Sequence, residues 1–244
     1  MKNISFLISF LLLSSCIFSQ ETPSTSTSPS TQGIYFDASG YFSIPLGAYK
    51  NSKNNDVSGF ANPGFLAQLN LDWIGEHDYG LAFQYTLQYN PLNKAGKNDT
   101  IHDMSQPLGT KGWTNHYLTA GIVVMKETGK FTIEGKVLGG VVLSSSPVFR
   151  TIDPVSHNAS DNTGIGFALG GGLSAGYAVT PRVKVKVSIE YLQGYPKIHK
   201  NGAQPVAVDS ITGNFIYSAP VLVETKRVIS SFNIGAGVLV KISK

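Results

Sequence analysis

Residues 170–176 read Gly-Gly-Gly-Leu-Ser-Ala-Gly, and the run matches two patterns that carry chemistry. Gly170, Gly172 and Ala175 fit G-x-G-x-x-A, whose glycines let a backbone approach a pyrophosphate. Glu190, about 20 residues past Gly170, stands where an acid would hold a ribose hydroxyl. Gly172, Ser174 and Gly176 also fit G-x-S-x-G, which presents a nucleophilic serine. Ser174, Glu190 and His199 then follow in the serine, acid, histidine order of a hydrolase triad.

Both chemistries need a strand, a tight turn and a following helix around the glycines. Here Gly164, Gly166, Ala168, Gly170, Gly172, Ser174, Gly176 and Ala178 share one parity, and Ile165, Phe167, Leu169, Leu173, Ala175 and Tyr177 share the other. That is a strand running straight through the motif. It ends at Thr180-Pro181-Arg182 and leads into another strand. Ser174 therefore falls in mid-strand and His199 in the loop beyond the next strand. The glycines read as a wall kept small to leave room for Lys184, Lys186 and Glu190.

The elements around this run share its period of two. In Val183–Tyr191 one face is Val183, Val185, Val187, Ile189 and Tyr191, and the other is Lys184, Lys186, Ser188 and Glu190. A helix would mix these residues around its cylinder, whereas a strand separates them. The same alternation marks residues 34–46, 64–73, 79–89, 114–125, 130–143 and 226–242. With 164–179, that makes eight segments. Long polar connections at 48–60, 90–112, 145–163 and 194–221 take turns with tight ones at 75–78, 127–129 and 180–182. In an antiparallel up-and-down order, all long loops lie at one end and all tight turns at the other.

Charged residues are 14% of the chain, against about 25% in soluble domains. The net charge of +4 is dispersed and forms no basic stripe for a nucleic acid. The start of the chain reads as an export leader over 1–19: Met1-Lys2-Asn3 is positive, and Ile4 to Leu13 is apolar. Ser19 before Gln20 suits signal peptidase I, the preferred site. Leu13-Ser14-Ser15-Cys16 resembles a lipobox, which would make Cys16 a lipidated N-terminus; otherwise Cys16 is an apolar leader residue. It is the only cysteine, so no disulfide framework or cysteine zinc site is expected. Residues 20–32, rich in Ser, Thr and Pro, read as a flexible linker, with the folded part at 33–244.

This arrangement resembles the eight-stranded outer-membrane β-barrels of the OmpA/OmpX type over roughly residues 33–242. The Ile-Phe-Ser/Gln leader end resembles that of exported proteins of the Bacteroidota. The fold expected is all-β: an eight-stranded antiparallel up-and-down transmembrane β-barrel with short periplasmic turns and long extracellular loops. The resemblance implies an outward apolar band and aromatic girdles. Trp73, Tyr79, Tyr89, Trp113, Phe131, Tyr177, Tyr191 and Tyr195 are the girdle candidates. The chain departs from many such proteins in ending Val240-Lys241-Ile242-Ser243-Lys244, without a terminal aromatic residue. A soluble lipocalin-like barrel would need its second face solvated. The Gly, Ser, Thr, Tyr and Gln on the polar faces suit a packed interior instead.

With the apolar faces in lipid, Asp37, Asp72, Glu134, Lys136, Lys184, Lys186, Glu190 and Lys241 point inward. Eight strands leave a lumen that side chains fill, so these charges are expected to pair and plug it. An ion-pair core outweighs a narrow ion path or a catalytic cluster. Lipid A deacylases of the outer membrane carry a histidine two residues before a serine. None of His77, His102, His116, His157 or His199 has a serine at that spacing, and no spacing suggests a metal. No cofactor is expected. In the last long connection, apolar runs flank Gly213-Asn214, which reads as a hairpin above the membrane, either a pairing edge for a partner or a loop stiffener. Asp99-Thr100-Ile101 and Asp209-Ser210-Ile211 match an Asp-Ser/Thr-apolar O-glycosylation pattern, at Thr100 and Ser210. The expected role is non-enzymatic: a monomer set in outer-membrane lipid and lipopolysaccharide, with loops that engage a surface protein or glycan. The alternatives are a lipid-modifying enzyme of that membrane, or a narrow channel or carrier of small hydrophobes.

Overall fold

The computed structural model describes residues 31–51, 59–93, 112–147, 163–202, 205–208, 215–217 and 221–243. Alternation in the sequence becomes strand in every case. The strands are β1 (Gly33–Pro45), β2 (Gly64–Ile74), β3 (Tyr79–Pro91), β4 (Gly112–Thr128), β5 (Phe131–Ser145), β6 (Thr163–Ala178) and β7 (Val183–Gly202). They are followed by β8 (Pro205–Val208), β9 (Phe215–Tyr217), β10 (Val221–Lys226) and β11 (Ile229–Ser243). A single turn of helix, α1 (Gly47–Lys50), follows β1.

β1 to β7 pair in sequence order, each antiparallel to the next, and β11 joins β7 to β1. The sheet thus closes as eight strands without an edge. Closure satisfies every ladder N–H and C=O internally, which a lipid environment demands because it offers no water. Followed through successive cross-strand partners, Ile34 leads to Trp73, Leu81, Ile122, Val137, Gly171, Tyr191 and Phe232, and returns to β1 at Ile44, ten residues on. That stagger tilts eight strands by roughly 45° and leaves an interior only side chains wide.

The tight turns have local causes. Gly129 takes φ +61°, in the left-handed region that a residue with Cβ avoids, and so closes the β4–β5 turn. Thr180 Oγ1 accepts the Val183 N–H at 3.0 Å and the Arg182 N–H at 3.3 Å, which fixes the β6–β7 turn. Gly75 N donates to Tyr79 O at 3.0 Å in the β2–β3 turn. All three turns lie at one end, opposite the four long connections.

The outer face is apolar. Phe36, Phe42, Leu69, Leu71, Phe83, Leu118, Ile122, Val137, Phe167 and Val187 are all exposed there. The ten residue steps from Tyr79 to Tyr89 correspond to about 23 Å of height at ~3.3 Å per residue and ~45° of tilt, the height of a barrel's lipid-facing band. Trp73, Tyr79, Phe131 and Tyr177 rim the turn end, and Phe131 meets Tyr177 edge-on with centroids 5.4 Å apart. Tyr89 and Tyr195 lie toward the loop end, with Phe65 5.5 Å from Tyr89. Tyr191, two periods of alternation below Tyr195, also faces outward. The expectation for Trp113 is corrected: it is 1% exposed and points inward. Outward positions of β4 are even-numbered (Leu118, Ala120, Ile122, Val124), so 113 has inward parity.

The last connection is more ordered than an expected loop from 194. β7 runs on to Gly202 and pairs with β10, while β8 and β9 form a separate two-stranded hairpin. Residues 194–202 carry too many polar side chains to alternate like a lipid-facing strand. Beyond the apolar band that alternation is not required, and backbone pairing alone extends the sheet.

Candidate functional site

The interior is a column of packed polar and apolar layers, and it is where the chemistry-bearing residues converge. The inward parity of β1, β2, β5 and β7 brings Asp37, Asp72, Glu134, Lys136 and Lys186 to one belt. Lys136 Nζ lies 2.9 Å from Asp72 Oδ2 and 2.9 Å from Glu134 Oε1. Lys186 pairs with Asp37 and lies 3.6 Å from Glu134 Oε1. Asp37 also accepts from Ser39 Oγ at 2.6 Å and Asn70 Nδ2 at 2.6 Å. Nearer the turn end, Lys184 pairs with Glu127 and donates to Thr132 Oγ1 at 2.8 Å. Lys241 lies 5.3 Å from the centre of the Tyr35 ring. Charges taken out of water need this degree of pairing, because leaving one unpaired costs several kcal/mol by order of magnitude.

Glu127 belongs to this set although the sequence reading placed it in a turn. β4 extends to Thr128, so Glu127 is the last inward-facing position of a strand. Its signal was its odd parity with Tyr117, Thr119 and Met125.

Above the belt, Glu190 Oε1 accepts from Gln84 Nε2 at 2.7 Å and Gln68 Nε2 at 3.4 Å. Higher still, Gln88 spans the lumen. Its Nε2 donates to Ser43 Oγ at 2.8 Å and Ser231 Oγ at 2.9 Å. Its Oε1 accepts from Asn115 Nδ2 at 3.0 Å and Tyr117 Oη at 3.2 Å. Asn115 accepts from Ser144 Oγ at 2.6 Å and donates to Tyr49 Oη at 3.1 Å, which donates to Asn90 Oδ1 at 3.1 Å. One amide side chain thereby ties β1, β3, β4 and β11 together.

The loop-end mouth is closed by an apolar cluster of Tyr49, Phe60, Ala61, Leu92, Trp113, Ile198 and Ile229. α1 places Tyr49 in the mouth, edge-on to Trp113 with centroids 5.5 Å apart. Trp113 Nε1 donates to Gly59 O at 2.7 Å, and Phe60 is fully buried at φ +52°, a conformation costly for an aromatic residue. The first long connection therefore folds back into the barrel. Low apolar alternation in 47–63 concealed this.

The glycine-rich run faces that interior. A Cβ on Gly170 would lie 2.8 Å from Leu192 Cδ2, and one on Gly172 would lie 2.8 Å from Ile189 O and 3.4 Å from Glu190 Cβ. Gly176 faces Lys186. Space is thus kept for Glu190 and Lys186, as expected, and also for Leu192. Lys184 stands opposite Ala178 instead. Neither enzyme pattern survives as geometry. Ser174 stands opposite Ser188, Glu190 opposite Gly172, and His199 nine residues further along β7, about 30 Å at ~3.3 Å per residue.

The described histidines lie elsewhere. His116 Nδ1 is 2.9 Å from Tyr85 Oη on the exposed outer face, and His77 stacks on Tyr79 with centroids 5.9 Å apart. His102 and His157 lie outside the described residues, as do Cys16, Thr100 and Ser210. Among the described residues no group of three or more His, Cys, Asp or Glu is placed to hold a metal.

An edgeless eight-stranded sheet, apolar outside and ion-paired inside, defines a membrane-spanning β-barrel with a filled lumen. No protein-family model and no curated protein matches the chain. Among solved structures, Neisserial surface protein A is similar at 17% identity, covering 86% of this chain and 98% of its own, with a TM-score of 0.50. OprG of Pseudomonas aeruginosa is similar at 12% identity, covering 86% and 97%, with a TM-score of 0.44. Ail of Yersinia pestis is similar at 12% identity, covering 86% and 99%, with a TM-score of 0.39.

Proposed function

We propose that the protein is a non-enzymatic barrel of the bacterial outer membrane whose extracellular loops engage a surface protein or glycan. It reaches that membrane through a leader over residues 1–19. The observation that carries this reading is the double seal of the lumen. The Asp37–Asp72–Glu134–Lys136–Lys186 belt fills one half, and the Tyr49–Phe60–Trp113 cluster closes the mouth. Among the described residues the column is filled by its own side chains, and function passes to the loops that the scaffold holds.

The β8–β9 hairpin and the β7–β10 ribbon favour the last connection as the binding element. A short paired ribbon offers backbone edges to a partner strand. The test presents the barrel in lipid nanodiscs to intact host or neighbouring cells. Replacing residues 203–219 with a short Gly-Ser turn abolishes binding on this reading and leaves the fold intact. Equal binding by both forms overturns it.

A further inference from the structure

The charges inside the barrel pair with one another, whereas those of the turn end divide into two groups. Lys184 and Lys241 turn inward onto the Tyr35 ring, at 5.5 Å and 5.3 Å from its centre. Glu127 turns inward too, paired with Lys184 and accepting from Tyr35 Oη at 3.0 Å. Lys130 in the β4–β5 turn and Arg182 in the β6–β7 turn are exposed instead. The remaining acids of this end, Glu76 and Asp78, stand in the β2–β3 turn, beside the end of β4, where Met125 N donates to Asp78 O at 2.7 Å. Lys126, also exposed, lies on that acidic side. Among the described residues, the arc from the β4–β5 turn to the β6–β7 turn therefore carries two exposed cations and no exposed carboxylate.

The backbone brings these two cations to either side of one apolar residue. Lys130 O accepts from Ala178 N at 2.8 Å, and Val179 N donates to Val183 O at 3.0 Å, next to Arg182. Lys130 and Arg182 thus flank Val179, about two strand spacings or ~10 Å apart along the rim. Both side chains are long enough to meet over that gap. Val179 is 62% exposed. Phe131 and Tyr177, the edge-on aromatic pair of the rim, continue its apolar surface toward the membrane, and Lys130 Nζ lies 5.9 Å from the centre of the Tyr177 ring. The result is amphipathic in one direction: cations at the level of the turns, aromatic and aliphatic side chains directly below them. A lipid with a charged headgroup has the same order.

We propose that this part of the rim binds one anionic phospholipid of the periplasmic leaflet. Its phosphate sits between the Lys130 ammonium and the Arg182 guanidinium, and an acyl chain covers Val179, Phe131 and Tyr177. Arg182 supplies a fork of N–H donors that matches phosphate oxygens, and Lys130 supplies a point charge from the other side. Two cations without a nearby acid favour a headgroup of net negative charge over a zwitterion, whose own ammonium they would repel. The leaflet follows from the fold, since the short turns lie at the periplasmic end, opposite the long loops. The site is remote from those loops, so its test is independent of what the loops bind.

The test folds the full chain in detergent micelles, adds equal amounts of phosphatidylglycerol and phosphatidylcholine, and counts the lipid retained per barrel by native mass spectrometry. Wild-type protein is expected to keep one phosphatidylglycerol, with a preference over phosphatidylcholine on the order of tenfold. Lys130→Gln combined with Arg182→Gln brings the two lipids to about equal retention. If that double variant does not fold, the two single changes are measured separately, and each lowers the preference several-fold. Lys126→Gln removes a cation from the same rim on its acidic side and leaves the preference as it was. So does Lys50→Gln combined with Lys197→Gln, which removes two cations from the loop end. Equal retention of both lipids by wild-type protein overturns the site, as does phosphatidylglycerol retained undiminished in the Lys130 and Arg182 variants. An equal loss from Lys126→Gln or from the loop-end pair would show general attraction to positive charge and overturns it as well.

Discussion

Asp72 on β2 and Lys136 on β5, 64 residues apart in the chain, meet inside the barrel with Nζ 3.2 Å from Oδ1 and 2.9 Å from Oδ2. Neither strand pairs with the other, so the bridge crosses the lumen rather than the sheet. Lys136→Met leaves Asp72 and part of Glu134 buried without a counter-charge. The expected loss is about 3–5 kcal/mol, read by urea unfolding in lipid vesicles. Lys136→Met combined with Asp72→Leu costs less than the two single changes added together. Strict additivity would show that the pair is not coupled.

Two glycine substitutions separate wall from outer face. Gly172→Ala forces a Cβ to 2.8 Å from the Ile189 carbonyl and is expected to cost about 1–3 kcal/mol. Gly40→Ala meets nothing within 4 Å on the lipid side and is expected to raise stability by up to about 1 kcal/mol, because a strand glycine loses more entropy on folding. Equal effects at the two positions would deny glycine its place as the inner wall.

The legibility of this barrel followed its physics. The alternation from Val183 to Tyr191 was visible because lipid on one side and a polar column on the other select opposite side chains at every step. The five belt residues, with Lys184 and Glu190 to either side of them, came from that same parity. Trp113 sits near a segment end, where girdle aromatics stand, but its parity with Tyr117 and Thr119 points it inward. The Tyr49–Phe60 part of the mouth was invisible for a different reason. It depends on a loop folding back onto the strand ends, and neither period nor composition encodes that contact. The amide partners of Gln88 were hidden likewise, since stagger decides which inward residues share a height.

Depth in the apolar band sets the cost of a charge. Val137 is 72% exposed at mid-height on the outer face, and Phe131 begins the same strand at the turn-end rim. Val137→Arg is expected to destabilise by about 2–4 kcal/mol and Phe131→Arg by about 0–1 kcal/mol, measured by reversible folding into vesicles. The reverse order would mean that the band is not centred where the aromatic rims put it.

Trp113→Ala removes the largest side chain of the mouth and leaves Tyr49 without its edge-on partner. A loss of about 3–5 kcal/mol is expected in chemical denaturation. Protease cleavage within 46–63 should also speed up in the folded barrel, since the connection is no longer held by the Trp113 bond to Gly59. Unchanged cleavage would place the anchor of that loop elsewhere.

The sealed lumen is the central claim, and single-molecule conductance in planar bilayers tests it most directly. The reconstituted barrel is expected to show no stable openings, because the charged belt and the aromatic mouth close it in series. Steady steps on the order of a nanosiemens, the scale of an open water-filled barrel, would contradict a lumen filled by its own side chains.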